Sequence, residues 1–171
     1  MENINAISNG KIKYEQFIKR LNNNQRLKHI ECNYISTLYS PCWIFKFEIG
    51  FKLPGVKTAH TGCLSGVDEL NLTPGLIDPM PQIKVLKVDK YQIIPYKLTT
   101  ESAEEIAWNY SKKWVIRKNK ILFAVPMRQQ TKTLIVHKAL YILKFHNRKL
   151  DQTLYKVLDS LTGDIDNLLI G

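Results

Sequence analysis

The chain has 171 residues, of which 44% are hydrophobic, so it can bury a core without disulfides. Lys and Arg number 25 against 15 Asp and Glu, and this net charge of +10 favours an anionic partner. No apolar run reaches the roughly 18–20 residues of a membrane span. The N-terminus also lacks the pattern of a signal peptide, so we expect a cytoplasmic protein. Three cysteines, an odd number, predict reduced thiols.

The first predicted element is an amphipathic helix from Lys11 to Asn22. Its apolar residues Tyr14, Phe17, Ile18 and Leu21 are spaced by three, one and three positions. Strand-like segments follow it at Leu27–Ile30, Tyr34–Tyr39, Trp43–Phe51 and Thr58–Leu64. In the third of these, aromatic and aliphatic residues alternate with Lys46 and Glu48, which predicts one buried and one exposed face.

Residues 76–98 read as a proline-containing crossover with one further strand, because proline removes a donor and disfavours helix before it. A second helix is predicted from Ser102, which forms a capping-box pattern with Glu105. Its apolar stripe is Ile106, Ala107, Tyr110, Trp114 and Val115. Four more strand-like segments follow, at Ile121–Val125, Thr133–Val136, Leu140–Phe145 and Leu154–Leu158.

The two parts of the chain share an order of helix, meander and hairpin. Aligning Trp43 with Tyr141 places Lys46 on Lys144, and one gap later Gly66 falls on Gly163. We therefore predict an α+β fold of two helix-plus-antiparallel-meander halves, related by an internal duplication. The predicted ranges are 1–75 for the first half, 76–98 for the crossover and 99–171 for the second half; a single compact domain would also fit this pattern.

The C-terminal segment Y-K-V-L-D-S-L-T-G-D-I resembles the closing strand and turn of PepSY-type domains. In that family a helix precedes an antiparallel hairpin that ends in a hydrophobic-Asp-Ala-x-Thr-Gly-Glu pattern. The matching residues here are Leu158, Asp159, Leu161, Thr162, Gly163 and Asp164, with Asp164 in place of Glu. The resemblance implies a non-catalytic module that binds or inhibits partners, usually outside the cytoplasm.

Catalytic and metal-binding patterns are weak. His60 and Cys63 could supply two metal ligands, but zinc needs three or four. A hairpin centred on residues 54 and 55 pairs Cys63 with Phe45 and Cys42 with Gly66, so the thiols would not converge. The chain has no phosphate-binding loop, dinucleotide-binding fingerprint or nucleophile elbow. We predict no catalytic residue, no metal site and no cofactor.

Charge gives the clearest functional indication. No acidic residue occurs between Glu105 and Asp151, and this interval contains Lys112, Lys113, Arg117, Lys118, Lys120, Arg128, Lys132, Lys138, Lys144, Arg148 and Lys149. We predict a small binding or regulatory protein that recognises a partner protein, acidic in character, through this basic surface. The first alternative is a nucleic-acid-binding protein that uses residues 112–149, and the second is a small enzyme or metal-binding protein. The sequence leaves the oligomeric state open, a homodimer included.

Overall fold

The computed structural model describes residues 1–10, 12–52, 59–118 and 125–167. Its strands are β1 (Glu2–Ile7), β2 (Ile30–Lys52), β3 (Ala59–Asp68), β4 (Thr73–Leu76), β5 (Ile83–Val88), β6 (Val125–Asn147), β7 (Gln152–Asp159) and β8 (Ile165–Asn167). The α-helices of these ranges are α1 (Tyr14–Asn22) and α2 (Thr100–Lys118). Neither helix is long and apolar enough to cross a membrane.

Mixed β-sheet dominates the protein, so the predicted α+β fold of two consecutive helix-plus-antiparallel-meander halves is wrong. The segments predicted at Tyr34–Tyr39 and Trp43–Phe51 belong to one 23-residue strand, β2, that continues through Pro41. A proline is excluded from a strand only where its missing N–H is needed. Pro41 contributes its carbonyl, which accepts a hydrogen bond from the Glu69 N–H at 3.3 Å.

Strand β6 also has 23 residues and joins the segments predicted at Thr133–Val136 and Leu140–Phe145. Most of the strand predicted at Ile121–Val125 lies outside the described residues. Strand β1, which no pattern predicted, pairs antiparallel with β5 and makes a parallel bridge to β6 between Ala6 and His137. The sheet is therefore mixed rather than purely antiparallel.

The chain divides into two compact units, and neither is continuous in sequence. The first unit contains Met1–Ser40, Ile83–Ile94 and the chain from His137 onward; the second contains Pro41–Gln82 and Pro95–Val136. Strands β2 and β6 each pass from one unit into the other. The order of elements nevertheless repeats, as β1-α1-β2-β3-β4 and then β5-α2-β6-β7-β8.

In the first unit, helix α1 packs on the β6–β7 hairpin. Its residues Phe17, Ile18 and Leu21 contact a cluster centred on buried Cys32, Leu143 and Leu158. Strands β6 and β7 are antiparallel, with Tyr141 opposite Leu158, Leu143 opposite Lys156 and Phe145 opposite Leu154. A smaller cluster of Ile4, Ala6 and Val88 lies on one face of the β1–β5 pair.

In the second unit, helix α2 covers the β2–β3 hairpin. The buried face of β2 presents Trp43, Phe45, Phe47, Ile49 and Phe51, which confirms the predicted alternation. Burying each of these side chains contributes about 1.5–3 kcal/mol. Small residues on α2, Ala103 and Ala107 among them, pack against this face.

Helix α2 begins earlier than its predicted cap. Residue Thr99 precedes the helix, and its Oγ1 accepts a hydrogen bond from the Ser102 N–H at 3.2 Å. Ser102 is therefore the third helical residue, where its N–H is one of the groups that a cap must satisfy.

A buried carboxylate joins the end of β3 to the segment that leads into α2. Only 1% of Glu69 is exposed. Its Oε1 accepts hydrogen bonds from Trp43 Nε1 at 2.8 Å and from the Leu98 N–H at 3.1 Å, while Oε2 accepts from the Lys97 N–H at 3.0 Å. Three donors satisfy the charge, which would be costly to bury without them.

We predict that Glu69→Ala lowers the free energy of unfolding by about 3 kcal/mol, because it leaves the buried Trp43 Nε1 and two partly buried backbone N–H groups without their acceptor. Glu69→Gln should lower the free energy of unfolding by less. The amide oxygen of Gln can still accept a hydrogen bond, whereas its NH₂ group would face an N–H donor and cannot accept from it. Urea denaturation gives both values, with the exposed Glu105→Ala as the control. Equal stability of Glu69→Ala and the control would contradict this role.

The turn after β7 is organised by Asp159. Its Oδ1 accepts from the Leu161 N–H at 2.7 Å and the Thr162 N–H at 3.2 Å, and its backbone oxygen accepts from the Gly163 N–H at 2.9 Å. Gly163 has φ +83°, a conformation that favours glycine. Gly66, its predicted counterpart, lies within β3 opposite Ile44, so the two glycines are not structurally equivalent.

We predict that Gly163→Ala destabilises the protein by about 1–2 kcal/mol, because an L side chain is strained at this φ. A Cβ there would also press on the Ile12 side chain. Gly62→Ala is the matched control, since Gly62 lacks positive φ and its Cβ would meet no atom within 4 Å. Thermal or urea unfolding of both variants is the measurement, and a larger loss in Gly62→Ala would refute the argument.

Candidate functional site

The predicted basic residues are distributed over both units. Lys112, Lys113, Arg117, Lys118, Arg128 and Lys132 belong to the second unit, whereas Lys138, Lys144, Arg148 and Lys149 belong to the first. Lys120 lies outside the described residues. Continuity along the sequence therefore does not by itself make these cations one surface.

Within the part of the chain that the structure describes, three of these cations form ion pairs. Arg128 pairs with Glu104 at 2.6 Å, and Arg148 pairs with Glu31, whose pKa the guanidinium lowers by hydrogen bonding and charge. Lys138 is only 3% exposed, and its Nζ lies 2.5 Å from Asp159 Oδ2. Lys138 is therefore a buried cation paired with the partly buried carboxylate of Asp159, and it does not belong to a contact surface.

The H-T-G-C segment does not form a site. Cys63 lies opposite Phe47 and faces the second unit's core, while His60 lies opposite Gly50 and is exposed. Over the described ranges, no group of three or more His, Cys, Asp or Glu residues could hold a metal ion.

Burial also suppresses thiolate chemistry at two of the cysteines. Desolvation raises the pKa of Cys32 to about 11. It also raises the pKa of Cys63, and the nearby Ser111 hydroxyl and the charge of Lys118 only partly oppose that shift. Because the thiolate is the nucleophile, both sulfurs are poor ones near neutral pH.

We predict that folding slows alkylation of Cys32 by iodoacetamide at pH 8 by about a hundredfold, the factor that separates a pKa of about 11 from the ordinary 9.0. The folded state favours the thiol, so its relative stability falls as the pH rises from about 9 towards 11. Peptide mass spectrometry of protein labelled with and without urea gives the rates. Equal rates in both conditions would disprove the prediction.

Strand β5 presents an edge that the predicted basic surface did not include. It comes last in the hydrogen-bonded order of the described strands, with β1 as its neighbour. Val85 is 68% exposed and Ile83 is 37% exposed, both on the face opposite the Ile4, Ala6 and Val88 cluster. Lys84 and Lys87 are also exposed, on opposite faces of the strand.

A second candidate is an apolar groove in the first unit, between α1 and the β6–β7–β8 strands. Its volume is about 450 Å³, within the usual range of ligand pockets. The described residues that line it are Phe17, Leu21, Ile30, Phe145, Asn147, Gln152, Leu154, Lys156 and Ile165. Lys156 is the single charged residue among them, and its Nζ lies 6.0 Å from the centre of the Phe145 ring.

The sequence contained signals for both features. I-K-V-L-K-V reads as a short strand in which neither face is fully apolar, which is typical of an edge. Leu154, Lys156 and Leu158 share one parity, so a lysine falls on the face that packs under α1.

Comparison with protein-family models, curated protein sequences and solved structures gave no match. The function is therefore inferred from the geometry of the β5 edge and of the apolar groove.

Proposed function

We propose that the protein is a binding module that recognises an acidic, extended segment of a partner protein by adding it as a strand beside β5. The observation that carries the proposal is the β5 edge, where Val85 is 68% exposed between Lys84 and Lys87. Edge strands bind peptides through main-chain hydrogen bonds, while alternate side chains determine specificity.

The lysines favour an acidic strand over a second copy of β5. In the antiparallel register that pairs all six residues of two β5 strands, Lys84 of each copy would oppose Lys87 of the other. Like charges directly opposite each other are destabilising, whereas opposite charges contribute about 0.2–1 kcal/mol per pair. A partner with two acidic residues three positions apart would neutralise both lysines.

Edge lysines also have a protective role, since charge on an edge strand discourages aggregation. The exposed Val85 and Ile83 argue for a contact in addition to protection, because protection does not require apolar side chains on the outer face. The likeness of residues 158–164 to PepSY-type domains, which bind or inhibit partners, supports the same class of function.

A direct test uses the capped peptide Thr-Glu-Val-Val-Glu-Thr and its Lys-containing counterpart, Thr-Lys-Val-Val-Lys-Thr. We expect the acidic peptide to bind, and NMR amide shifts to concentrate on residues 83–88. The double variant Lys84→Glu/Lys87→Glu should weaken acidic-peptide binding by about tenfold or more, and should favour the basic peptide, because two attractive pairs become repulsive.

The matched control is Lys112→Glu/Lys113→Glu, which makes the same charge change on helix α2. If this control loses acidic-peptide binding while the β5 variant retains it, the β5 proposal is wrong. The peptide would then bind at the predicted basic residues instead. Binding of oligonucleotide instead of peptide would favour the nucleic-acid alternative, for which log affinity falls with log salt by about 0.7 per neutralised phosphate of a single strand.

A further inference from the structure

We infer that the apolar groove of the first unit binds an alkyl carboxylate, with the hydrocarbon chain between α1 and the β6–β7 hairpin and the carboxylate at Lys156. This is a small-molecule site, separate from the proposed recognition of a protein strand at β5.

The groove has the lining of a hydrocarbon site. Phe17 and Leu21 contribute one wall from α1, while Phe145, Leu154 and Ile165 contribute the other from the sheet. Phe17 and Phe145 make an edge-to-face contact, with ring centres 6.5 Å apart. Pockets of this kind, mostly apolar with a few polar groups, are typical of small-molecule sites.

The position of Lys156 determines the charge of the ligand. It lies opposite Leu143 and between Leu154 and Leu158 on the α1-facing side of β7, where an apolar residue is expected. No acidic residue is among the described residues of the lining, and within the described ranges no ion pair satisfies Lys156. An ammonium group in an apolar groove favours an anionic headgroup, which it binds by a charge-assisted hydrogen bond.

The remaining polar groups fit a carboxylate better than a larger headgroup. Asn147 and Gln152 face each other at the end of the β6–β7 pair and can donate amide N–H groups to the second carboxylate oxygen or to water around it. A groove of about 450 Å³ has room for a single alkyl chain.

The test is a titration with butanoate, hexanoate, octanoate and decanoate, each below its micellar concentration, and with 1-octanol as the uncharged counterpart. We expect affinity to rise with chain length, by up to about fourfold for each fully buried CH₂ group. NMR shifts should concentrate on Phe17, Leu21, Phe145 and Leu154. Octanoate should bind more tightly than 1-octanol.

Two variants distinguish the contribution of the Lys156 charge to binding from that of the apolar wall. Lys156→Met should weaken octanoate binding about tenfold and leave 1-octanol binding unchanged. Leu154→Asn should weaken both ligands, whereas Leu150→Asn, the same change at an exposed position of the same hairpin outside the lining, should weaken neither.

Affinity that is independent of chain length, shifts centred away from the groove, or equal octanoate binding by Lys156→Met and the unchanged protein would each overturn the inference. Acidic-peptide binding by Lys156→Met is measured in parallel. Its retention shows that the groove and the β5 edge are independent sites, so failure at one can be told apart from failure at the other.

Discussion

The continuity of β2 and β6 is the constraint on which the rest of the fold depends. Each strand has 23 residues, and an extended chain advances about 3.3 Å per residue without turning back on itself. Each of these strands therefore contributes residues to both compact units. Within the first unit α1 packs on the β6–β7 hairpin, and within the second unit α2 packs on the β2–β3 hairpin.

The same constraint explains how much of the fold the sequence predicts. Side-chain alternation is local, so the buried face of β2 from Trp43 to Phe51 could be derived from spacing alone. The predicted register paired Cys63 with Phe45, whereas the structure pairs it with Phe47. That error of two residues preserves the faces, because side chains alternate with a period of two. Continuity through Pro41, which depends on a carbonyl contact with distant Glu69, has no local signal.

The candidate sites show a similar division between local and long-range information. Counting lysines and arginines along the chain identified a basic interval, but counting cannot distinguish a solvated cation from one such as Lys138, which neutralises Asp159 in the first unit. That distinction requires knowing that Lys138 and Asp159 meet across the β6–β7 region. The H-T-G-C segment fails for a local reason, since residues three apart on a strand point to opposite faces.

Three lysines of the first unit illustrate how sheet position determines what a cation can do. Lys138 is buried beside a carboxylate, and removing either partner would leave a charge without compensation. Lys84 is exposed on an edge strand, where its charge can be satisfied by water or by an acidic strand at little cost. Lys156 lies between these extremes, half-buried beside an aromatic ring in an apolar groove. Water solvates Lys156 less well than it solvates Lys84. An anion with an attached alkyl chain therefore gains binding free energy both from the charge of Lys156 and from burial of the chain in the groove. The selectivity for an alkyl carboxylate follows from that combination. A hydrophilic anion interacts favourably only with the charge of Lys156, and a neutral alkane only with the apolar walls of the groove.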